Sequence, residues 1–204
     1  EGAVRKAGVE PKFVKMNKTF QIDSQAFKLS MAGAKMVFLC NPNNPTSMLI
    51  PQETLKDILE TALAQETLVF LDEDFLEFVD EEKTLSMIGN IKNFPNRFIL
   101  RSFTKIFGLT GLRVGYGIAN PDIIDVLLFA KIPWNVNCLA QAAAVAALKD
   151  EQHLSVTREL IRKEKTWLST KLAEFGAFKV QPSDANFYFI DIRKTGLTGA
   201  ELRS

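Results

Sequence analysis

The chain has 204 residues, 47% of them hydrophobic, and its 25 Lys and Arg nearly balance its 24 Asp and Glu. This composition can fill one large or two small cores, and the charge balance gives no indication of nucleic-acid binding. The longest apolar runs are too short to cross a bilayer, so we expect a soluble, cytoplasmic protein that does not bind membranes. Cys40 and Cys138 lack metal-ligand spacing and predict buried free thiols in a reducing compartment, with no metal site.

Short apolar runs alternate with helical patterns through the first 120 residues. Pro51 is expected at the first position of a helix, where its missing N–H costs nothing. Buried strands are predicted at 35–40, 67–71, 97–100 and 113–119. This alternation predicts a three-layer αβα fold of the α/β class, with a mostly parallel sheet.

Beyond Pro121 the pattern becomes helical. Helices are predicted over 122–131, 138–149 and about 151–175, with strands near Val180 and over 186–192. We place a domain boundary near residue 150, which gives a large domain over 1–150 and the start of a smaller α+β domain over 151–204. A capping box at Thr198 and Glu201 predicts a helix that begins close to the last residue. Because the chain also begins without Met, we expect an internal piece of a longer enzyme.

Polar residues follow three of the predicted strands. Asn44, Asp72 and Lys105 lie in the loops after the first, second and third strand, respectively. In parallel sheets, ligands bind beyond the carboxyl ends of the strands. We therefore expect these side chains to converge at one edge of the sheet.

Together with Ser102 and Arg113, these residues are the types that hold pyridoxal phosphate (PLP). A lysine can form a Schiff base, an acid can keep the pyridine nitrogen protonated, and an amide can bond the phenolic oxygen. An arginine and a hydroxyl can bind the phosphate. Asp72 is preferred as the acid because it follows its strand directly, with Glu73 and Asp74 as competing carboxylates. Taken singly, each residue also has an ordinary structural explanation.

The segments that carry these residues resemble the fold-type-I PLP enzymes of the class I/II aminotransferase family. The branch is that of histidinol-phosphate aminotransferase and threonine-phosphate decarboxylase, and the resemblance covers essentially the whole chain. It rests on 40–46, 71–73, 101–105, 111–113 and 133–137.

The resemblance implies a role for each residue. Lys105 would carry the Schiff base, Asp72 would pair with the pyridine nitrogen, and Asn44 would contact the phenolic oxygen. Ser102 and Arg113 would bind the phosphate. The resemblance also implies a small phosphorylated amino acid or amine as substrate, and a homodimer whose shared region lies near 133–137.

The chain departs from the family pattern at two positions and lacks some of its parts. Phe75 stands where a tyrosine usually bonds the phenolic oxygen. Ser47 replaces the usual glycine after Asn-Pro-Thr, so the loop is expected to be less tight than in the family. The substrate-carboxylate arginine, the glycine-rich phosphate loop and the ring-stacking aromatic of the family would lie outside the chain. We therefore expect the chain alone to be inactive.

The identity of the reaction stays open at this level. Phe75, segment 101–105 and Pro133-Trp134 look more like the decarboxylase, which serves cobalamin biosynthesis, and we favour that hypothesis. Histidinol-phosphate aminotransferase, which serves histidine biosynthesis, is the alternative. A remoter one is a non-catalytic α/β module that binds a phosphorylated metabolite.

Overall fold

The computed structural model describes residues 1–80 and 82–203. Its strands are β1 (Met36–Cys40), β2 (Leu68–Asp72), β3 (Arg97–Ser102), β4 (Gly115–Ala119), β5 (Lys179–Val180) and β6 (Ile190–Asp191). Its α-helices are α1 (Gly2–Lys6), α2 (Ser24–Met31), α3 (Gln52–Ala64), α4 (Glu82–Leu85), α5 (Pro121–Ala130), α6 (Cys138–Ala147), α7 (Glu151–Ala173) and α8 (Gly199–Arg203).

The first four strands form one sheet in the order β1-β2-β3-β4. The pairs β1–β2 and β2–β3 are parallel, and β4 runs antiparallel to β3. The connection between β3 and β4 spans only residues 103–114 and contains the 3₁₀ turn Thr110–Leu112, so the chain reverses beside β3. The predicted α/β fold with a mostly parallel sheet is confirmed.

Alternating side chains give the sheet two different faces. On one face, Val69, Leu71 and Ile99 pack into a buried core with the apolar side of α3. On the other face, Phe38, Phe70 and Phe98 form a row with ring centroids 5.3 and 5.2 Å apart. A Cβ at Gly117 would overlap the Phe98 ring, so β4 needs glycine beside this row.

The core of the sheet therefore lies on the α3 side. Its buried members from α3 are Leu55, Ile58, Leu59 and Ala62. Helical spacing predicts these four and also Leu63, which is exposed. Pro51 is the N-cap of α3 and not its first residue, one position from the prediction.

The C-terminal part has less strand than expected. The pair β5–β6 is antiparallel and two residues long on each side. The predicted strand over 186–192 is wrong for its first half, because Ser183 folds the chain into a turn there. Its hydroxyl donates to the carbonyls of Ala185 and Phe187, at 3.1 and 2.6 Å.

Two helices of the C-terminal part begin with side-chain caps. Asp150 caps α7 by accepting from the backbone N–H of His153. Thr198 and Glu201 form the predicted capping box, in which the hydroxyl and backbone N–H of Thr198 both donate to Glu201. The domain boundary near residue 150 stays a prediction.

The prediction of two buried thiols is wrong for Cys138. Cys40 is half-buried and Cys138 is exposed, and both are free. Cys138 is the first residue of α6, and that helix buries Ala140 and Ala144 instead. Over 1–80 and 82–203, the structure contains no helix long and apolar enough to cross a membrane.

Candidate active site

The ends of β1, β2 and β3 meet at one edge of the sheet. Cys40 pairs in register with Asp72, which pairs with Leu100. Because side chains alternate along each strand, Asp72 and Ser102 lie on the same face as the phenylalanine row. The sheet therefore brings these two predicted site residues to one face of one edge.

Lys105 lies in the loop after β3, close to polar groups on both sides. Its Nζ is 3.1 Å from Oδ2 of Asp74 and donates to the Thr104 hydroxyl at 3.5 Å. Ser102 and Thr104 share a hydrogen bond of 2.5 Å, and Ser102 Oγ also accepts from the Thr104 backbone N–H. The Lys105 side chain is 38% exposed, so its amine is accessible from solvent.

Asp72 ends β2 with one carboxylate oxygen already bonded. Its Oδ1 accepts from the backbone N–H of Asp74 at 3.0 Å. Burial raises the pKa of Asp72 above its ordinary value, and the negative charge of Asp74 adds to this, against the Asp74 N–H. A cationic N–H donor placed at Asp72 would therefore stabilise its charged form.

Glu73 lies on the opposite face from Asp72 and does not compete for that role. Its side chain is fully buried, 2.8 Å from Nη2 of Arg101, and it accepts from Ser86 and from the Met87 N–H. One step along a strand reverses the direction of the side chain, so residue 73 points into the core when residue 72 faces the edge. The preference for Asp72 over Glu73 thus has a geometric basis.

Asp74, the other carboxylate that competes with Asp72, does lie at the candidate site. It returns to the side of Asp72 and forms the ion pair with Lys105. Because β2 ends at Asp72 and Asp74 lies in the turn that follows, strand alternation does not predict this position.

Asn44 and Arg113 lie at the same edge without contacting the other predicted residues. Asn44 is exposed in the loop after β1, where its backbone N–H faces the thiol of Cys40. Arg113 precedes β4 with a φ of 51° and donates to the Thr110 carbonyl at 3.0 Å. In the part of the chain that the structure describes, neither side chain bonds to Asp72 or Lys105.

The ring of Phe75 packs beside Lys105 at the candidate site. The ring is buried, with Phe187 edge-on at 5.0 Å and Phe78 stacked at 6.4 Å. The Nζ of Lys105 lies 5.3 Å from the ring centroid. The ring supplies packing and a favourable surface for a cation but no hydrogen-bond donor.

The loop after β1 is fixed from a distant part of the chain. Ser47 has a φ of 60°, and its carbonyl accepts from the Asp184 N–H at 2.7 Å. A carboxylate oxygen of Asp184 accepts from the Leu49 N–H at 2.8 Å. Asp184 carries no local sequence signal for this role, because the two residues are 135 positions apart.

The comparison with protein families decides the classification. The model described as "Aminotransferase class I and II" matches residues 1–200. The chain belongs to this family. It is 44% identical to the histidinol-phosphate aminotransferase of Moorella thermoacetica over 161 residues. The matched region covers 78% of this chain and 41% of the relative. The chain spans about half the length of the curated relatives it matches.

Solved structures of the aminotransferase family share this fold. The histidinol-phosphate aminotransferase from Sinorhizobium meliloti, in complex with pyridoxal-5'-phosphate, has a TM-score of 0.83 and 26% identity, over 93% of this chain and 51% of that one. The L-threonine-O-3-phosphate decarboxylase from Porphyromonas gingivalis has a TM-score of 0.78 and 26% identity, over 93% and 55%. The family match, together with the solved structure that contains pyridoxal-5'-phosphate, indicates pyridoxal phosphate as the cofactor.

The residues present fit that cofactor. Asp72 is a half-buried carboxylate with a raised pKa, which a protonated pyridine nitrogen would match. Ser102 and Thr104 offer hydroxyls to a phosphate, and the amine of Lys105 donates to the Thr104 hydroxyl. In the described residues, Oδ1 of Asp74 is buried without a hydrogen-bond partner.

Proposed function

We propose that the protein is a PLP-dependent aminotransferase that binds its cofactor covalently through Lys105 and acts on histidinol phosphate. The placement of Lys105, Asp72 and Ser102 at one sheet edge carries the proposal for the site. The 44% identity to a histidinol-phosphate aminotransferase supports the substrate. This choice differs from the decarboxylase that segment 101–105 favoured, because no relative among the first eight matched curated proteins carries that name.

Each residue has a distinct task at this edge. When bound, PLP supplies an electron-poor ring that stabilises negative charge on the substrate carbon bearing the amino group. Asp72 would pair with the ring nitrogen, and Asn44 would donate to the phenolic oxygen. Ser102 and Arg113 would hold the phosphate. Lys105 would hold the cofactor covalently, and its free amine would move a proton at the substrate carbon.

Phe75 and its aromatic neighbours exclude water from the base of the site. Because Phe75 has no hydroxyl, Asn44 is left as the residue of this chain proposed to bond the phenolic oxygen. A dry floor strengthens the attraction between Asp72 and a cationic ring nitrogen.

We also propose that the full-length protein is a homodimer whose interface includes the apolar surface at the C-terminal end of α5 and the segment that follows it. Phe129 and Trp134 are both 96% exposed, and Ile132 lies between them at 76%. Aromatic side chains exposed to this degree are typical of interaction surfaces. Light scattering of the full-length protein tests this, and a Trp134→Glu variant is expected to shift the mass towards the monomer.

The first experiment tests the covalent role of Lys105. Full-length protein loaded with PLP is reduced with borohydride and digested, and the modified peptide is found by mass spectrometry. The cofactor is expected on Lys105 in the wild type and nowhere in Lys105→Ala. The control is Lys149→Ala, an exposed lysine, which should keep the modification. A modification that persists in Lys105→Ala would disprove the assignment.

The decarboxylase is a second candidate. Phe75, segment 101–105 and Pro133-Trp134 look more like the decarboxylase pattern, and a threonine-phosphate decarboxylase is among the solved structures that share the fold. The two reactions are separated by incubating the loaded protein with each substrate. Amino transfer from histidinol phosphate to an oxo acid supports the proposal, and carbon dioxide release from L-threonine phosphate supports the second candidate.

A further inference from the structure

The single histidine of the chain joins α7 to the loop that carries Lys105. His153 is the third residue of α7, and its Nε2 lies 2.9 Å from the carbonyl oxygen of Ile106. We infer that His153 is a positioning residue, which holds this loop in the shape that presents Lys105 to the cofactor. The inference rests on the proposed function, because it concerns the lysine that is proposed to bind PLP.

The loop after β3 is closed by its own backbone. The Leu109 N–H donates to the Phe103 carbonyl at 3.0 Å. The Gly108 N–H donates to the Lys105 carbonyl at the same distance of 3.0 Å. In the described residues, no backbone N–H donates to the Ile106 carbonyl. Because Ile106 is only 3% exposed, water has little access to this oxygen, and a side-chain donor is needed there.

His153 supplies that donor from a fixed position. A carbonyl oxygen can only accept, so the hydrogen of the bond to Ile106 is on Nε2 of the imidazole. The His153 backbone N–H donates to the N-cap Asp150 at 2.9 Å, and the Thr157 hydroxyl lies 3.4 Å from Nε2. The imidazole also stacks on the Phe107 ring, with centroids 6.0 Å apart and planes 16° apart. The helix cap and the ring contact therefore direct the imidazole at the loop.

The two sides of the loop have different surroundings. Ile106 and Phe107 are buried in a hydrophobic core that includes the buried side of α6, and Leu154 of α7 packs against the same core. Lys105 instead directs its amine to the sheet edge, where it meets Asp74. Because Lys105 and Ile106 are adjacent in the chain, a shift of the loop on the α7 side would move the lysine at the site.

The bond from His153 should matter most before the cofactor is bound. A ligand binds more tightly to a site that is already in the bound arrangement, because less of the binding energy is used to order it. Without the bond, the buried Ile106 carbonyl has no donor, and this shape of the loop becomes less favourable. His153 should therefore raise the affinity for PLP without contacting it.

The first test compares two substitutions of His153 in the full-length protein. His153→Phe keeps a ring against Phe107 but removes the donor, whereas His153→Gln keeps an N–H donor at a similar reach. Titration with PLP, followed by its visible absorption, should show about three- to ten-fold weaker binding for His153→Phe, the effect of one hydrogen bond. His153→Gln should bind PLP within about two-fold of the wild type.

The control variant releases α7 from a different part of the chain. Nη2 of Arg162 in α7 lies 2.7 Å from Oδ2 of Asp80, and Asp80→Asn should leave the affinity for PLP unchanged. Urea denaturation of each variant ensures that folded proteins are compared. Equal affinity in His153→Phe and wild type would overturn the inference. An equal loss of affinity in His153→Gln or in Asp80→Asn would also overturn it, because the donor would then not be the cause.

The second test needs no cofactor. Amide hydrogen exchange of the cofactor-free full-length protein, measured by mass spectrometry, reports the opening of segment 103–109. This segment should exchange about three- to ten-fold faster in His153→Phe than in wild type, and close to the wild-type rate in His153→Gln. Unchanged exchange in His153→Phe would contradict the inference. Absence of a borohydride-reducible adduct on wild-type Lys105 would instead overturn the proposed function.

Discussion

Ser47 shows how one residue can keep a loop tight without the glycine that the family pattern has there. Its φ of 60° lies in the left-handed region, which non-glycine residues rarely adopt. The strain is offset locally, because the hydroxyl donates to the Thr46 carbonyl at 2.6 Å and the Ser47 carbonyl accepts from Asp184. The loop that carries Asn44 therefore keeps its tight turn, although Ser47 stands where the family pattern has glycine.

Substitutions at Ser47 should separate backbone strain from side-chain bonding. Ser47→Val is expected to lower the free energy of unfolding by about 2 kcal/mol or more, because a buried β-branched residue fits this conformation poorly. Ser47→Gly should change it by less than about 1 kcal/mol, since relieved strain and greater freedom of the unfolded chain oppose each other. Urea denaturation measures both, and a valine variant as stable as wild type would contradict the assignment.

At the scale of elements, the acidic residues 72–74 at the end of β2 point in different directions. Two of the side chains face the candidate site, and one faces the core. Asp72 and Asp74 face the candidate site, while the side chain of Glu73 lies in a buried ionic cluster around Arg101. Glu77 and Glu82 also contact Arg101 there, at 3.4 and 2.9 Å. The cluster joins β2, β3, α4 and the 3₁₀ turn Leu76–Phe78. It fixes the strand ends on which the site is built, since removing one partner would leave a buried charge unpaired.

Glu77 should make stability depend on pH. Burial, the largest cause, and the charge of Glu82 raise the pKa of Glu77 from 4.5 to about 7, against the attraction of Arg101. Between these values the folded protein holds a proton that the unfolded chain has released, so stability falls as pH rises through this window. The loss from this group is on the order of 3 kcal/mol and is complete above the folded pKa.

A Glu77→Gln variant measures this effect. It should lack this pH-dependent loss, so its stability relative to wild type should be greater at about pH 8 than at about pH 5. Arg101 keeps Glu73 and Glu82 as partners in the variant. Urea denaturation of both proteins at each pH gives the comparison. A stability difference that does not vary with pH would show that Glu77 titrates normally.

Local patterns predicted the elements well and the contacts between them poorly. Apolar runs found β1 to β4, and the rule for parallel sheets placed Asp72 and Lys105 at one edge. The direction of β4 depends on the loop before it, and the turn at Ser183 depends on its own hydrogen bonds, so neither follows from hydrophobic periodicity. The contacts of Lys105 with Asp74 and of Leu49 with Asp184 join separate segments, and no local pattern records them.

At the scale of the whole molecule, residues on both sides of the predicted boundary near 150 support the site. Arg158 of α7 donates to the Glu77 carbonyl at 2.7 Å, and Phe187 packs against Phe75. Lys165 of the same helix donates to the Ser183 carbonyl, which positions the turn that contains Asp184. The C-terminal segment thus holds the loop after β1 and the floor of the site together.

Asp184 is the residue at which this long-range support can be tested. Asp184→Ala leaves the Leu49 N–H without its acceptor and loosens the loop that presents Asn44. Loss of a hydrogen bond to a charged group should lower the free energy of unfolding by about 1.5–3 kcal/mol. PLP should bind several-fold more weakly, because part of its energy of binding must then order the loop.

A titration of the full-length protein with PLP, followed by its visible absorption, gives the affinity, and urea denaturation gives the stability. Asp125→Ala is the matched control, because Asp125 is an exposed carboxylate on α5. That control should bind PLP as the wild type does. If Asp184→Ala loses stability but binds PLP normally, the C-terminal segment supports the fold without ordering the site. Weaker binding confined to Asp184→Ala shows that the contact to Leu49 prepares the loop for the cofactor.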